Sequence, residues 1–196
     1  MKAIIRSFIA IDLAPEVIGR IADLIGELKL RLQGLPLRWV PADNIHLTLK
    51  FLGEVSASNI QVIGSMMQAA ADHFASFEMS VGGIGMFPDG KYPRVIWLGV
   101  EALPALFEIQ RMLDHETAML GYPAEAQPFA PHLTIGRVAR GATGQESKKI
   151  GHLLAMETVG FLGVTAVEKV HLYRSDLKPA GPEYQIMFSA ALIAPH

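Results

Sequence analysis

The sequence predicts an α+β fold with mostly antiparallel sheets, and three observations favour it. Both halves of the 196-residue chain contain strands and helices in the order strand, helix, strand, strand, without the regular alternation of a parallel sheet. Hydrophobic residues make up 51% and charged residues 18% of the chain, which is typical of a globular protein. A His-Leu-Thr segment occurs once in each half, which suggests two similar lobes. We expect a single bilobal domain over residues 1–196.

The first half contains two amphipathic helices between β-rich segments. Apolar residues recur at helical spacing over residues 16–32, and Gly34 and Pro36 end this helix. Ser56 is a candidate N-cap for a second helix that we expect to reach about residue 74. The expected strands of this half cover residues 6–13, 37–40, 46–53 and 77–87.

The second half repeats this pattern. A helix is expected over residues 104–120, where the sequence Gly-Tyr-Pro stops it, and another over residues 145–156. The expected strands cover residues 94–100, 132–138, 167–177 and 184–192.

Composition narrows the possible functions. The chain has no cysteine, which removes disulfides and zinc-thiolate sites and fits a reducing, cytoplasmic compartment. A net charge of −2 argues against a broad phosphate-binding surface, so any nucleic acid would be held through a few phosphates. Arg6 and Asp12 interrupt the N-terminal apolar stretch, so we interpret it as a strand rather than a signal peptide. No apolar run approaches the ~20 residues of a membrane span.

The two His-Leu-Thr segments carry the candidate functional residues. They place His46 beside Thr48 and, 86 residues later, His132 beside Thr134. Residues two apart in a strand point to one face, so each imidazole would share a face with a hydroxyl, opposite an apolar face. The seven histidines and six threonines predict about 0.2 such pairs by chance. One segment alone would be an ordinary half-buried strand, whereas two indicate a function.

Two imidazoles that face one cleft are suited to phosphodiester chemistry near pH 7. One removes a proton from the attacking water or hydroxyl, and the other donates a proton to the departing oxygen. The threonine hydroxyls could donate hydrogen bonds to phosphoryl oxygens. A metal site is the alternative, but neither segment offers a second His, Cys or carboxylate ligand at strand or helix spacing. We therefore expect neither a metal nor a cofactor.

The sequence around both segments resembles the two-histidine phosphoesterase superfamily. The similarity lies in RWVPADNIHLTLKFLGEV, PRVIWLGV, FAPHLTIGRV and LYRSDL, and it extends over nearly the whole chain. Within the superfamily the sequence is similar to the bacterial and archaeal RNA 2′,3′-cyclic phosphodiesterases, also called 2′-5′ RNA ligases. The resemblance implies two lobes related by a pseudo-twofold axis, with helices outside and one motif from each lobe lining a central cleft.

The resemblance also implies metal-free opening of a 2′,3′-cyclic phosphate to a 2′-phosphate end. His46 would donate a proton to the O3′ leaving group, and His132 would activate water. Thr48 and Thr134 would hold the phosphoryl oxygens. The partners would be RNA ends or small 2′,3′-cyclic nucleotides, and nothing in the sequence demands more than a monomer.

Arg137 and Phe51 each lie five residues beyond a motif histidine, and this odd offset would turn them away from the site in a regular strand. A solvated arginine and a core phenylalanine are the ordinary interpretations. The resemblance implies instead that Arg137 lies near the phosphate, re-aimed by a bulge at Gly136, and that Phe51 stacks on the terminal base. Lys50 is expected at the surface.

Two other functions stay open at this point. The same site could hydrolyse or join 2′-5′-linked oligonucleotides. A non-catalytic module that binds nucleotides or RNA could also retain the cleft, although it would need neither proton transfer nor two imidazoles.

Overall fold

The computed structural model describes residues 4–179 and 181–194, and in this part of the chain four α-helices pack against two antiparallel sheets. The helices are α1 (Pro15–Arg31), α2 (Ile60–Ala71), α3 (Pro104–Met119) and α4 (Gly144–Ala155). The strands are β1 (Ile4–Ile11), β2 (Leu37–Trp39), β3 (Leu47–Ser56), β4 (Phe77–Phe87), β5 (Val95–Ala102), β6 (His132–Val138), β7 (Phe161–Val167), β8 (Lys169–Lys178) and β9 (Gly181–Ala191).

The two sheets repeat one arrangement, and each contains strands from both halves of the chain. The strand order is β3-β1-β8-β9 in the first sheet and β2-β6-β5-β4-β7 in the second. The elements of the two halves correspond in order. The first half has β1, α1, β3, α2 and β4, and the second has β5, α3, β6, α4 and β8. Strand β4 joins the second sheet and β8 joins the first, so each lobe contains strands from both halves. The predicted α+β fold with two related lobes is confirmed.

Local sequence explains where the helices begin and which face they bury. A proline occupies the first turn of both α1 and α3, where its missing N–H costs nothing. Helix α4 begins with a capping box, in which the Thr143 hydroxyl accepts from the Glu146 N–H and the Glu146 carboxylate accepts from the Thr143 N–H. The inner face of α1 buries Val17, Ile21, Ile25 and Leu28. No helix in the described ranges has the length and apolarity to cross a membrane.

Two predicted elements differ from the structure. Ser56 ends β3 instead of capping α2, because one turn of 3₁₀ helix (Ala57–Asn59) lies between β3 and α2. Its hydroxyl hydrogen-bonds to that of Ser58 at 2.9 Å. The expected strand over residues 167–177 corresponds to β8, which a break at Glu168 separates from the unpredicted β7. Strand β7 lies at the edge of its sheet, and its exposed positions include Phe161 and Val164, so its sequence lacks the alternation of polar and apolar residues that indicates a strand.

Candidate active site

The two motifs begin neighbouring strands of different sheets. His46 immediately precedes β3, which contains Thr48, while His132 is the first residue of β6, which contains Thr134. All four side chains are half-buried, and the apolar residues between them are buried. Some Cα atoms of β3 lie within 8 Å of Cα atoms of β6, so the structure brings the two motif strands together.

Strand β3 contains a β-bulge immediately after Thr48. Its pairing with β1 passes from Thr48 directly to Lys50, which leaves Leu49 unpaired. A bulge of this kind reverses the alternation of faces along a strand. Phe51 therefore lies opposite Phe8, with the two ring centroids 6.2 Å apart, and it is 62% exposed instead of belonging to the core.

Strand β6 contains the corresponding bulge. Its pairing with β5 passes from Thr134 to Gly136, so Ile135 is the residue left out. Arg137 consequently shares a face with Thr134 and is exposed. The bulge expected near Gly136 is thus present, one residue earlier in the chain.

The expectation that Lys50 lies at the surface is wrong. The bulge turns this side chain to the core face, opposite Ile9, where it is 1% exposed. Its ammonium nitrogen lies 2.7 Å from the Asp114 carboxylate and donates to the carbonyl oxygen of Pro123. Lys50 therefore connects β3 to α3 and to the segment that leads to His132.

His46 lies in an aromatic setting. Its ring stacks on Phe8, with centroids 4.6 Å apart, and meets the Tyr184 ring edge-on at 5.2 Å. Burial lowers the pKa of His46 from 6.5 to about 4, while the Asp12 carboxylate and the Asn44 carbonyl group oppose part of that shift. The imidazole is therefore neutral at pH 7 in the ligand-free chain.

Asp12 is a neighbour of His46 that neither sequence motif contains. It accepts a hydrogen bond from the Tyr173 hydroxyl, and its second oxygen lies 3.7 Å from His171 Nε2. Burial, followed by this hydrogen bond, raises the pKa of Tyr173 well above its ordinary value. Asp12 continues the alternation of Phe8 and Ala10 just beyond the end of β1, and that alternation is visible in the sequence. The position of Asp12 relative to His46, however, depends on how β1 and β3 pair.

The orientation of His132 is set by a main-chain contact. Its Nδ1 lies 2.8 Å from the carbonyl oxygen of Ala130, which can only accept, so Nδ1 carries the hydrogen. Nε2 of the neutral ring then has a free lone pair. The rings of Phe87 and Trp97 meet His132 edge-on, with centroids at 5.1 and 6.4 Å.

A cavity of about 440 Å³ opens beside His46. It is lined by Asp12, Asp43, Asn44, Ile45, His46, Tyr173, Tyr184, Gln185 and Ile186. Across the described part of the chain, no three His, Asp or Glu side chains are grouped so that they could hold a metal ion.

The two halves of the chain, each with one His-x-Thr motif, both match the model of a family of phosphoesterases. The chain belongs to the family described as LigT like Phosphoesterase, whose model matches residues 11–97 and again residues 98–184. The family resemblance inferred from the motifs is confirmed.

Relatives and solved structures agree with this membership. The chain is 35% identical to an RNA 2′,3′-cyclic phosphodiesterase of Methanothermobacter thermautotrophicus, over 93% of this chain and 96% of the relative. It is 36% identical to a protein of the same name from Thermotoga maritima, over 93% of both chains. Escherichia coli LigT complexed with 3′-AMP superposes with a TM-score of 0.76 at 27% identity, covering 97% of this chain and 99% of that one.

Proposed function

We propose that this protein hydrolyses the 2′,3′-cyclic phosphate at RNA ends to a 2′-phosphate, with His46 and His132 as a metal-independent acid and base pair. The observation that carries the proposal is the contact between the two motif strands, each of which has its bulge at the same motif position. The names of the relatives support the substrate, and the 3′-AMP complex of Escherichia coli LigT supports a nucleotide as the ligand.

His132 acts as the general base in this proposal. Its Nδ1–H is engaged by the Ala130 carbonyl, so Nε2 is the nitrogen that takes a proton from water. The water then attacks phosphorus, and the bond from phosphorus to O3′ breaks.

His46 acts as the general acid and must carry a proton when O3′ departs. Burial opposes the charged form, whereas Asp12 and the Asn44 carbonyl group favour it. A bound phosphodiester anion adds another negative charge nearby, which raises the pKa of the imidazole further. Substrate binding therefore favours protonation of His46, which then donates this proton to O3′.

The remaining site residues contact the phosphate and the terminal nucleobase. The hydroxyls of Thr48 and Thr134 donate to phosphoryl oxygens as negative charge develops there, and Arg137 neutralises part of that charge. Phe51 offers an exposed ring on which the terminal base stacks. We propose further that the protein acts as a monomer in the cytoplasm, since one chain supplies both motifs and has no cysteine.

The test is hydrolysis of 2′,3′-cyclic AMP by metal-free protein in excess chelator, with the products separated by chromatography. We expect full activity and adenosine 2′-phosphate as the product. Activity that disappears with chelator and returns with a divalent ion would contradict the proposed chemistry. Accumulation of the 3′-phosphate would contradict the assignment of O3′ as the leaving group.

A further inference from the structure

Arg38 lies directly opposite Arg137 in the second sheet. Strand β2 pairs with β6 so that Arg38 faces Arg137 and Trp39 faces Gly136. The Trp39 ring covers Gly136 on the core side, where a Cβ on that glycine would lie 3.1 Å from the ring. Because neighbouring residues of a strand point to opposite faces, Arg38 projects from the face that carries Arg137 and Thr134.

Two cations at directly opposite positions of an antiparallel pair repel each other. Neither Arg38 nor Arg137 has a carboxylate oxygen within 4 Å among the residues that the structure describes, and both side chains are exposed. The arrangement therefore has an unfavourable electrostatic free energy that a bound anion would relieve.

A third arginine contributes to the same side of the site. Arg6 lies two residues before Phe8 in β1, so it shares the strand face on which Phe8 contacts His46 and Tyr184. Burial raises the pKa of Tyr184, and the charges of Arg137 and Arg6 oppose that shift. Glu54 lies opposite Arg6 in β3 but forms no ion pair with it within 4 Å. The Tyr184 ring in turn contacts His46.

The cavity beside His46 carries the opposite charge. Asp12 and Asp43 line the cavity there, so a polyanion is repelled in that direction. An RNA strand that places its terminal cyclic phosphate between the two histidines meets favourable charge where it passes over Arg38 and Arg137.

We propose that Arg38 binds the internucleotide phosphate on the 5′ side of the terminal 2′,3′-cyclic nucleotide. This second phosphate site rests on the proposed function, and it makes an RNA end a better substrate than a free cyclic nucleotide. A contact with the backbone carries no sequence information, so the preference applies to any RNA sequence.

The test compares two substrates, 2′,3′-cyclic AMP and a trinucleotide that ends in the same cyclic nucleotide. For Arg38→Gln we expect kcat/KM on the trinucleotide to fall ~10-fold, mainly through KM, because one charge-assisted contact is lost. Turnover of 2′,3′-cyclic AMP stays within about twofold of wild type. The matched control is Arg111→Gln, which removes an exposed arginine from α3 and leaves both substrates unaffected.

Salt dependence provides a second measurement. Each phosphate contact with single-stranded nucleic acid contributes about −0.7 to the slope of log affinity against log salt concentration, so Arg38→Gln makes that slope shallower by about 0.7. An equal loss on both substrates, or no loss on either, would overturn the proposed second site.

A binding measurement tests the second phosphate site independently of the proposed activity. A 5′-labelled trinucleotide ending in a 2′-phosphate is titrated with wild type and with Arg38→Gln, so no turnover is required. Weaker binding by the variant supports the second site even if the wild-type protein hydrolyses neither substrate. Equal binding by the two proteins would overturn it.

Discussion

Leu49 and Ile135 occupy the same position in the two motifs, and each is the residue that its strand leaves out of the pairing. The bulge reverses the faces of the residues that follow it, in β3 as far as a second bulge at Leu52. It brings Phe51 and Arg137 to the face that carries the motif threonines, and it sends Lys50 into the core. A regular strand would bury Phe51 and expose Lys50.

Removing the Phe51 ring is expected to weaken nucleotide binding. Stacking of a base on an aromatic side chain contributes ~1–3 kcal/mol, so Phe51→Ala raises KM for 2′,3′-cyclic AMP by about 5- to 150-fold with a small effect on kcat. Phe51→Tyr retains the ring and stays near wild type. Phe107→Ala, which removes an exposed phenylalanine from α3, is the control and leaves KM unchanged. An unchanged KM in Phe51→Ala would show that the base lies elsewhere.

Replacing Lys50 is expected to destabilise the fold. Lys50→Met leaves the Asp114 carboxylate without its cation, and breaking a buried pair costs ~3 kcal/mol in free energy of unfolding, measured with urea. The double variant Lys50→Met/Asp114→Leu recovers part of this loss because no charge is left without a partner. Lys149→Met, on the exposed face of α4, changes stability little. Equal stabilities of Lys50→Met and wild type would mean that the buried pair contributes nothing.

Asp12→Asn is expected to lower the pKa of His46 further. The asparagine keeps an oxygen for the Tyr173 hydrogen bond but removes the charge that favours the imidazolium. For an acid whose pKa lies below the working pH, each pKa unit lost costs about tenfold in the protonated fraction and hence in rate. The imidazole titration is followed by NMR, and kcat is measured at pH 7. Asp43→Asn is the control, because Asp43 lines the same cavity but is not among the groups that shift the pKa of His46. A similar effect of both variants on the pKa and on kcat would contradict this role for Asp12.

The stability of the fold is expected to decrease in mild acid. The folded chain keeps His46 neutral down to about pH 4, whereas the unfolded chain protonates it near pH 6.5. The unfolded state therefore binds more protons in this window, and the free energy of unfolding falls as the pH drops from 6.5 to 4. The contribution of His46 is on the order of 3 kcal/mol and is fully present above pH 6.5. His46→Phe keeps a ring against Phe8 and reduces this slope; the same slope in both proteins would contradict the buried, neutral state.

The motif strands and most helices could be predicted because their patterns are local. Alternating apolar residues place His46 and Thr48 on one face whatever the rest of the chain does. The bulge at Leu49 depends on how β3 pairs with β1, which the local sequence does not specify, so the burial of Lys50 was missed. Asp12 was missed for the same reason, since it reaches Tyr173 through the pairing of β1 with β8, a strand more than 150 residues away in sequence.

The most direct test of the paired-histidine chemistry is kcat/KM for 2′,3′-cyclic AMP in wild type, His46→Ala, His132→Ala and the double variant. Proton-transfer groups contribute ~10²–10⁴-fold each, and groups that act as a unit are not additive. We expect each single variant to lose at least 100-fold and the double variant to lose little more than the worse single one. His115→Ala, which removes an exposed histidine from α3, retains wild-type activity. A loss below tenfold in either single variant, or a double loss equal to the product of the two single losses, would contradict paired acid and base catalysis by His46 and His132.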